Sequence, residues 1–134
     1  MINHRGEYVG CGDMINNGKH ILTAEVMKEI IQARNGDDIE VAIELVASRP
    51  LQSAPSTFKF GMAFGATIAL AERLHCPFHF VTPRIWKKAL GLDSDKNRSL
   101  ALARDLWPEA PIARQKDNGR AEALLIAEWL RLQG

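Results

Sequence analysis

An α/β sandwich is the fold class this sequence predicts, on three observations. Residues 39–46 (IEVAIELV) alternate like a strand, a long apolar helical stretch follows them, and short apolar runs then interleave with helical patterns to the end of the chain. The 134 residues suit one domain, and a hydrophobic content of 46% is enough to bury a core.

Tyr8 to Met14 (YVGCGDM) reads as a short strand, loosened by Gly10 and Gly12. Asn16-Asn17-Gly18 is a turn. Thr23 is placed to cap a helix running to about Arg34, with Val26, Met27, Ile30 and Ile31 on one face and Asn35-Gly36 as its stop. The strand from Ile39 to Val46 sets Ile39, Val41, Ile43 and Leu45 against Glu40, Ala42, Glu44 and Val46. Arg49 to Pro55 is a polar loop, and Ser56 opens an apolar helix to about His75. Gly61 and Gly65 lie about one turn apart on that helix, where a neighbouring backbone can come close. Phe78 to Thr82 forms a strand, and Pro83 suits the first turn of a helix capped by Thr82 and reaching Leu90. Ser94 or Asp95 starts another helix that stops near Trp107-Pro108. Residues 109–117 form a loop, and a last helix covers Gly119 to Leu132.

Charge balance excludes little. Seventeen Lys+Arg stand against 16 Asp+Glu, a net +1, so only the placement of charge speaks about nucleic acid. Cys11 and Cys76 form no CxxC or Cys/His quartet, which argues against structural zinc, and Cys76 reads as a small core residue. No signal-peptide pattern opens the chain and no apolar run of about 18 residues occurs. A cytoplasmic protein with reduced thiols and no membrane association is expected.

Three acidic residues stand in unusual places. Glu44 sits near the carboxyl end of a strand among Ile43, Leu45 and Val46, and ligands of open α/β sheets gather at such ends. A solvent-facing glutamate fits the same alternation equally well. Asp117 and Glu122 flank the start of the last helix in KDNGRAEALLIA, where acids also serve as ordinary helix-start residues. Helical spacing nevertheless places Glu122 on the face of Leu125 and Ile126, toward the sheet. If Glu44, Asp117 and Glu122 converge, they make a hard-oxygen site suited to Mg²⁺ or Mn²⁺. Two such ions about 3.5–4 Å apart activate a water and stabilise a leaving phosphodiester oxygen. His4, His20, His75 and His79 have no motif context.

The basic residues are grouped. Arg84, Lys87 and Lys88 share a short helix with Trp86, which reads as a packing residue; Lys96 and Arg98 follow, then Arg114, Lys116 and Arg120 approach the acidic pair. Each group alone is more often just a solvated face. Together, beside a metal site, they would neutralise phosphates along a duplex arm.

The order IELV, RPLQSAPSTFKFGMAFG, VTPRIWKKALGL, SDKNRSLALARDLWP and RQKDNGRAEALLIAEWL resembles the phage and prophage branch of the RuvC-like Holliday-junction resolvases. The resemblance covers about residues 39–132, and DNGRAEALLIA with VTPxxWKK is its most specific part. It implies a ribonuclease-H-like fold, a mixed five-stranded sheet flanked by helices, and Mg²⁺-dependent incision of branched DNA by a homodimer. It implies that Glu44, Asp117 and Glu122 are the catalytic metal ligands. It further implies that Gln52, Ser53, Ser56, Thr57 and Lys59 face DNA, with Lys59 and Lys87 on phosphates. The DNA-binding set expected from motif and charge together is Gln52, Ser56, Lys59, Arg84, Lys87, Lys88, Lys96, Arg114, Lys116 and Arg120.

One departure is expected to matter. The family opens with a GIDPG-type strand whose aspartate bridges the metals, and this chain has no such segment. Residues before 39 then correspond to the family's second and third strands and first helix, with Asp13 on one of those strands. Residues 1–134 would form an N-terminally incomplete nuclease domain lacking the central first strand, from a start internal to a longer gene or a decayed prophage copy. Two functions follow as expectations. One is a structure-selective endonuclease acting on four-way junctions. The other is a module that holds branched DNA without cutting it. No GxxxxGK[ST] loop is present, which counts against nucleotide hydrolysis.

Overall fold

The computed structural model describes residues 1–45, 47 and 51–134. The end of the expected strand at Val46 and the start of the expected loop at Arg49 and Pro50 lie outside the described residues. The element order is α1 (Thr23–Arg34), β1 (Val41–Glu44), α2 (Ala54–Arg73), β2 (Phe78–Val81), α3 (Pro83–Ala89), α4 (Lys96–Leu106), a 3₁₀ turn (Gln115–Asp117) and α5 (Asn118–Gln133). The protein is α/β, as expected. Among the described residues its sheet has two strands, β1 and β2, which run parallel with Val41 opposite Phe78 and Glu44 opposite Val81.

Local chemistry accounts for most boundaries. Asn35 and Gly36 both take positive φ, at 50° and 87°, and so stop α1. Ser53 caps α2 by accepting from the Ser56 amide at 3.3 Å, with Pro55 in the first turn. Asp95 caps α4 by accepting from the Asn97 amide at 2.9 Å. Thr23 and Thr82 behave differently from the expectation. Thr23 is the first residue of α1 rather than its cap, and Thr82 flanks α3 without a capping side-chain hydrogen bond.

The N-terminal residues are the main correction to the fold. Tyr8 to Met14 is not a strand: Tyr8 makes one isolated antiparallel bridge to Ile2, and Asn16 makes another to Ile21. The Asn16-Asn17-Gly18 turn does form, held by the two asparagine side chains on the amides of Gly18, Lys19 and His20. Gly10 and Gly12 give a strand nothing to pack, and local hydrogen bonds close tight turns in its place. The residues before 39 therefore supply one helix and no sheet strand.

Burial is concentrated in the C-terminal half. Val81, Trp86, Leu100, Ala103, Trp107, Ile112, Ala121, Leu124, Leu125 and Ile126 form one cluster between β2, α3, α4 and α5. Arg104 braces it by donating to the carbonyls of Ile112 and Ala113, and the Trp107 indole donates to the Gly6 carbonyl at 2.8 Å. In α2, by contrast, only Leu70 and Ala71 are buried, and Phe58, Phe60 and Met62 remain exposed. Cys76 is half-buried, and burial raises its thiol pKa. Among the described residues, no helix is long and apolar enough to cross a membrane.

Candidate active site

The two glutamates singled out in the sequence both line one cleft. Glu44 ends β1, and Glu122 lies on α5, which packs across that strand. A cleft of about 920 Å³ has both in its lining, together with Lys59 and Phe60 of α2, Gly119 of α5 and the turn around Lys19. Helix α5 reaches the sheet because Ala121, Leu124, Leu125 and Ile126 form its buried stripe. Glu122 shares the inward side with that stripe, and only 20% of its side chain is exposed.

Helix α3 holds both carboxylates through consecutive residues. The indole Nε1 of Trp86, which is fully buried, donates to Glu44 Oε1 at 2.8 Å. Lys87 Nζ stands 3.1 Å from Glu122 Oε1 and 5.2 Å from the centroid of the Trp86 ring. That Oε1 is buried and receives no hydrogen bond of good geometry, so Lys87 balances its charge without saturating it. Trp86 is thus the packing residue the sequence suggested and also the group that orients Glu44. The second role is invisible in the sequence because it joins residues 42 positions apart.

Asp117 stands elsewhere. It does not line the cleft, and only 5% of it is exposed. Its carboxylate accepts from the Arg114 backbone amide at 2.9 Å and from the Arg114 guanidinium at 3.1 and 2.8 Å. The guanidinium and then the amide lower the Asp117 pKa from 3.8 to about 2. Arg120 makes a two-point contact with Asp13, at 3.0 Å to each oxygen, and holds that carboxyl below its usual value. Asp13 is therefore a partner of Arg120, with 78% of its side chain exposed.

The expected DNA-facing residues fall into two groups. Gln52 donates to the Ser56 hydroxyl at 3.2 Å at the start of α2, with Lys59 one turn further along the cleft wall. Arg84, Lys87 and Lys88 line a second depression of about 340 Å³ with Pro83 and Leu92. Lys87 connects the two regions, since it borders this depression and pairs with the glutamate of the cleft. Lys96 and Lys116 are exposed, whereas Arg114 and Arg120 are already engaged with Asp117 and Asp13.

Among the described residues, no three Asp, Glu, His or Cys side chains stand close enough together to hold a metal ion. Glu44 and Glu122 are the two carboxylates among the residues that line the cleft. Mg²⁺ characteristically takes one or two protein carboxylates and completes its shell with water and substrate phosphate. Glu122 Oε1 is buried and ion-paired with Lys87 at 3.1 Å, so a divalent ion bound there would have to displace that ammonium.

No family model matches the chain. Over 50 residues the chain is 58% identical to the chloroplastic Holliday junction resolvase MOC1 of Chlamydomonas reinhardtii. The match covers 34% of this chain and 6% of that protein.

Proposed function

We propose that this chain is a branched-DNA nuclease domain, resolving four-way junctions with Mg²⁺ or Mn²⁺ as cofactor. The observation that carries the reading is the presence of Glu44 and Glu122 in the lining of one cleft with Lys59, each restrained by a neighbouring residue of α3, with Lys87 leading on to the depression lined by Arg84 and Lys88. Similarity to a Holliday junction resolvase points to the same substrate class.

Glu44 and Glu122 would hold the ion, with Asp117 joining them only if Arg114 releases it. When bound, the ion supplies charge neutralisation at the scissile phosphate and acidifies a water. The chain's own residues supply the rest. Trp86 keeps Glu44 from rotating away. Lys87 is placed to leave Glu122 for a phosphate oxygen, and Arg84 and Lys88 add counter-charge along the backbone. A junction presents two symmetric strands, so a two-fold homodimer would bring one such cleft to each.

The absence of a three-acid group among the described residues favours a second reading, in which the domain holds a junction without cutting it. One experiment separates the two. A labelled synthetic four-way junction is titrated by anisotropy and then incubated with Mg²⁺ or Mn²⁺ and run on a denaturing gel. The nuclease reading expects preference for the junction over linear duplex and metal-dependent cuts. Glu44→Gln should keep binding and abolish cutting. Normal cutting by that variant removes the site assignment. Junction binding by the wild type with no cuts under either metal leaves the binding module, and equal affinity for linear duplex overturns both.

A further inference from the structure

Ion pairing divides the cationic side chains near the cleft into two kinds. Arg114 and Arg120 are held by Asp117 and Asp13, acids that do not line the cleft. Lys87 is held by Glu122, which does, and among the described ion pairs no other carboxylate belongs to the cleft. The pair is also shielded: 17% of the Lys87 side chain and 20% of the Glu122 side chain are exposed, against 54% and 55% in Arg98–Asp93. Removing either partner from such surroundings leaves an uncompensated charge, which is costly. The ammonium leaves Glu122 readily only if another anion receives it and another cation takes its place.

The surroundings of Lys87 offer a place for both. Lys87 borders the depression of about 340 Å³ together with Arg84 and Lys88. Lys87 and Lys88 stand three and four residues beyond Arg84 on α3, so each shares a face with it. Arg84 and Lys88 are exposed and have no ion-pair partner among the described residues. Like charges crowd there, and Lys87 instead takes Glu122 and the face of the Trp86 ring as its neighbours. A phosphate oxygen arriving between Arg84 and Lys88 reverses that preference and draws the ammonium across. Glu122 Oε1, which is buried, is then the charge that needs a cation, and Glu44 stands in the lining of the same cleft.

We propose that Lys87 is an exchangeable counter-ion that couples the cleft's two ligands. A backbone phosphate of branched DNA takes the ammonium, a divalent cation takes Glu122, and each exchange lowers the cost of the other. The inference rests on the reading of the cleft as a metal- and DNA-binding site and adds how that site is regulated: it holds the cation weakly until nucleic acid is present. Such coupling is reciprocal, so the cation strengthens DNA binding by the same factor by which DNA strengthens cation binding, typically about 5–150-fold. Trp86 stays on Glu44 throughout, so one of the two glutamates is switched and the other is fixed.

The full chain is titrated with Mn²⁺ without DNA, the free ion being read by electron paramagnetic resonance. Lys87→Met, which keeps the aliphatic stem and deletes the charge, should bind Mn²⁺ at least about tenfold more tightly than wild type. Lys88→Met deletes an equal charge from the same helix without touching Glu122 and should change the affinity less than about twofold, because exposed charges are screened. Junction binding is then measured by anisotropy without metal. Glu122→Gln releases Lys87 and should bind at least about fivefold more tightly than Glu44→Gln, which loses the same charge but leaves the ion pair intact. Ca²⁺, another divalent ion that takes oxygen ligands, should improve junction affinity by a factor at least about fivefold larger in wild type than in Lys87→Met; the comparison cancels any effect of Ca²⁺ on the DNA. Equal Mn²⁺ affinity of wild type and Lys87→Met, equal junction affinity of the two glutamine variants, or an equal Ca²⁺ effect overturns the coupling and leaves the cleft a metal site. If none of the proteins binds Mn²⁺, the reading of the cleft itself is removed. If circular dichroism shows Lys87→Met unfolded, the two glutamine variants decide.

Discussion

Replacing Trp86 by phenylalanine tests the link between the core and the candidate site. Trp86 is fully buried, and its indole is the donor that holds Glu44 Oε1 at 2.8 Å. Phenylalanine keeps most of the apolar bulk and deletes the donor. A hydrogen bond to a charged acceptor contributes about 1.5–3 kcal/mol, and the unfilled part of the ring site adds about 1 kcal/mol. The sum of about 2.5–4 kcal/mol should lower the urea midpoint by about 1–2 M, for a slope near 2 kcal/mol per M. The same substitution in a Glu44→Gln background should cost about 1 kcal/mol less, because the acceptor there is neutral and its bond weaker. Urea unfolding of the four proteins followed by circular dichroism completes the cycle. If the two single losses add to within about 0.5 kcal/mol, the indole is not holding a charged carboxylate and the assigned orientation of Glu44 fails.

Asp117→Asn should flatten the acid limb of the stability curve. The Asp117 pKa is lowered from 3.8 to about 2, so its pairing with Arg114 stabilises the fold fully above the ordinary value and is lost as the pH falls toward about 2. Wild type should lose stability faster than the variant across that window, measured by chemical unfolding at stepped pH; parallel curves would remove the Arg114 clamp as the cause. Lys87→Gln should weaken junction binding across all arm sequences and reduce the slope of log affinity against log salt by about 1, read by anisotropy between about 50 and 200 mM salt. An unchanged slope means Lys87 stays on Glu122 when DNA binds. Leu124→Ala, at a position with no exposure, should cost about 2–5 kcal/mol in thermal or urea unfolding; a loss below about 1 kcal/mol would place the core elsewhere.

The chain's own pattern determined the α/β class, the order of the helices and the positions of both strands. Those features rest on local periodicity and on stop residues such as Asn35-Gly36 and Pro83, which act within a few neighbours. Glu122 could be read as inward-facing because its helical face carries Leu125 and Ile126. The sequence failed at Tyr8 to Met14, read as a short strand loosened by two glycines, because a strand also needs a partner edge and side chains to pack. It gave no sign that Asp117, placed by its motif position among the expected metal ligands, is held by Arg114. Only tertiary structure decided that Trp86 orients Glu44, that Lys87 neutralises Glu122 and that Asp13 holds Arg120. Each depends on distances between residues remote in the chain, and these are set by how α3 and α5 pack on the sheet.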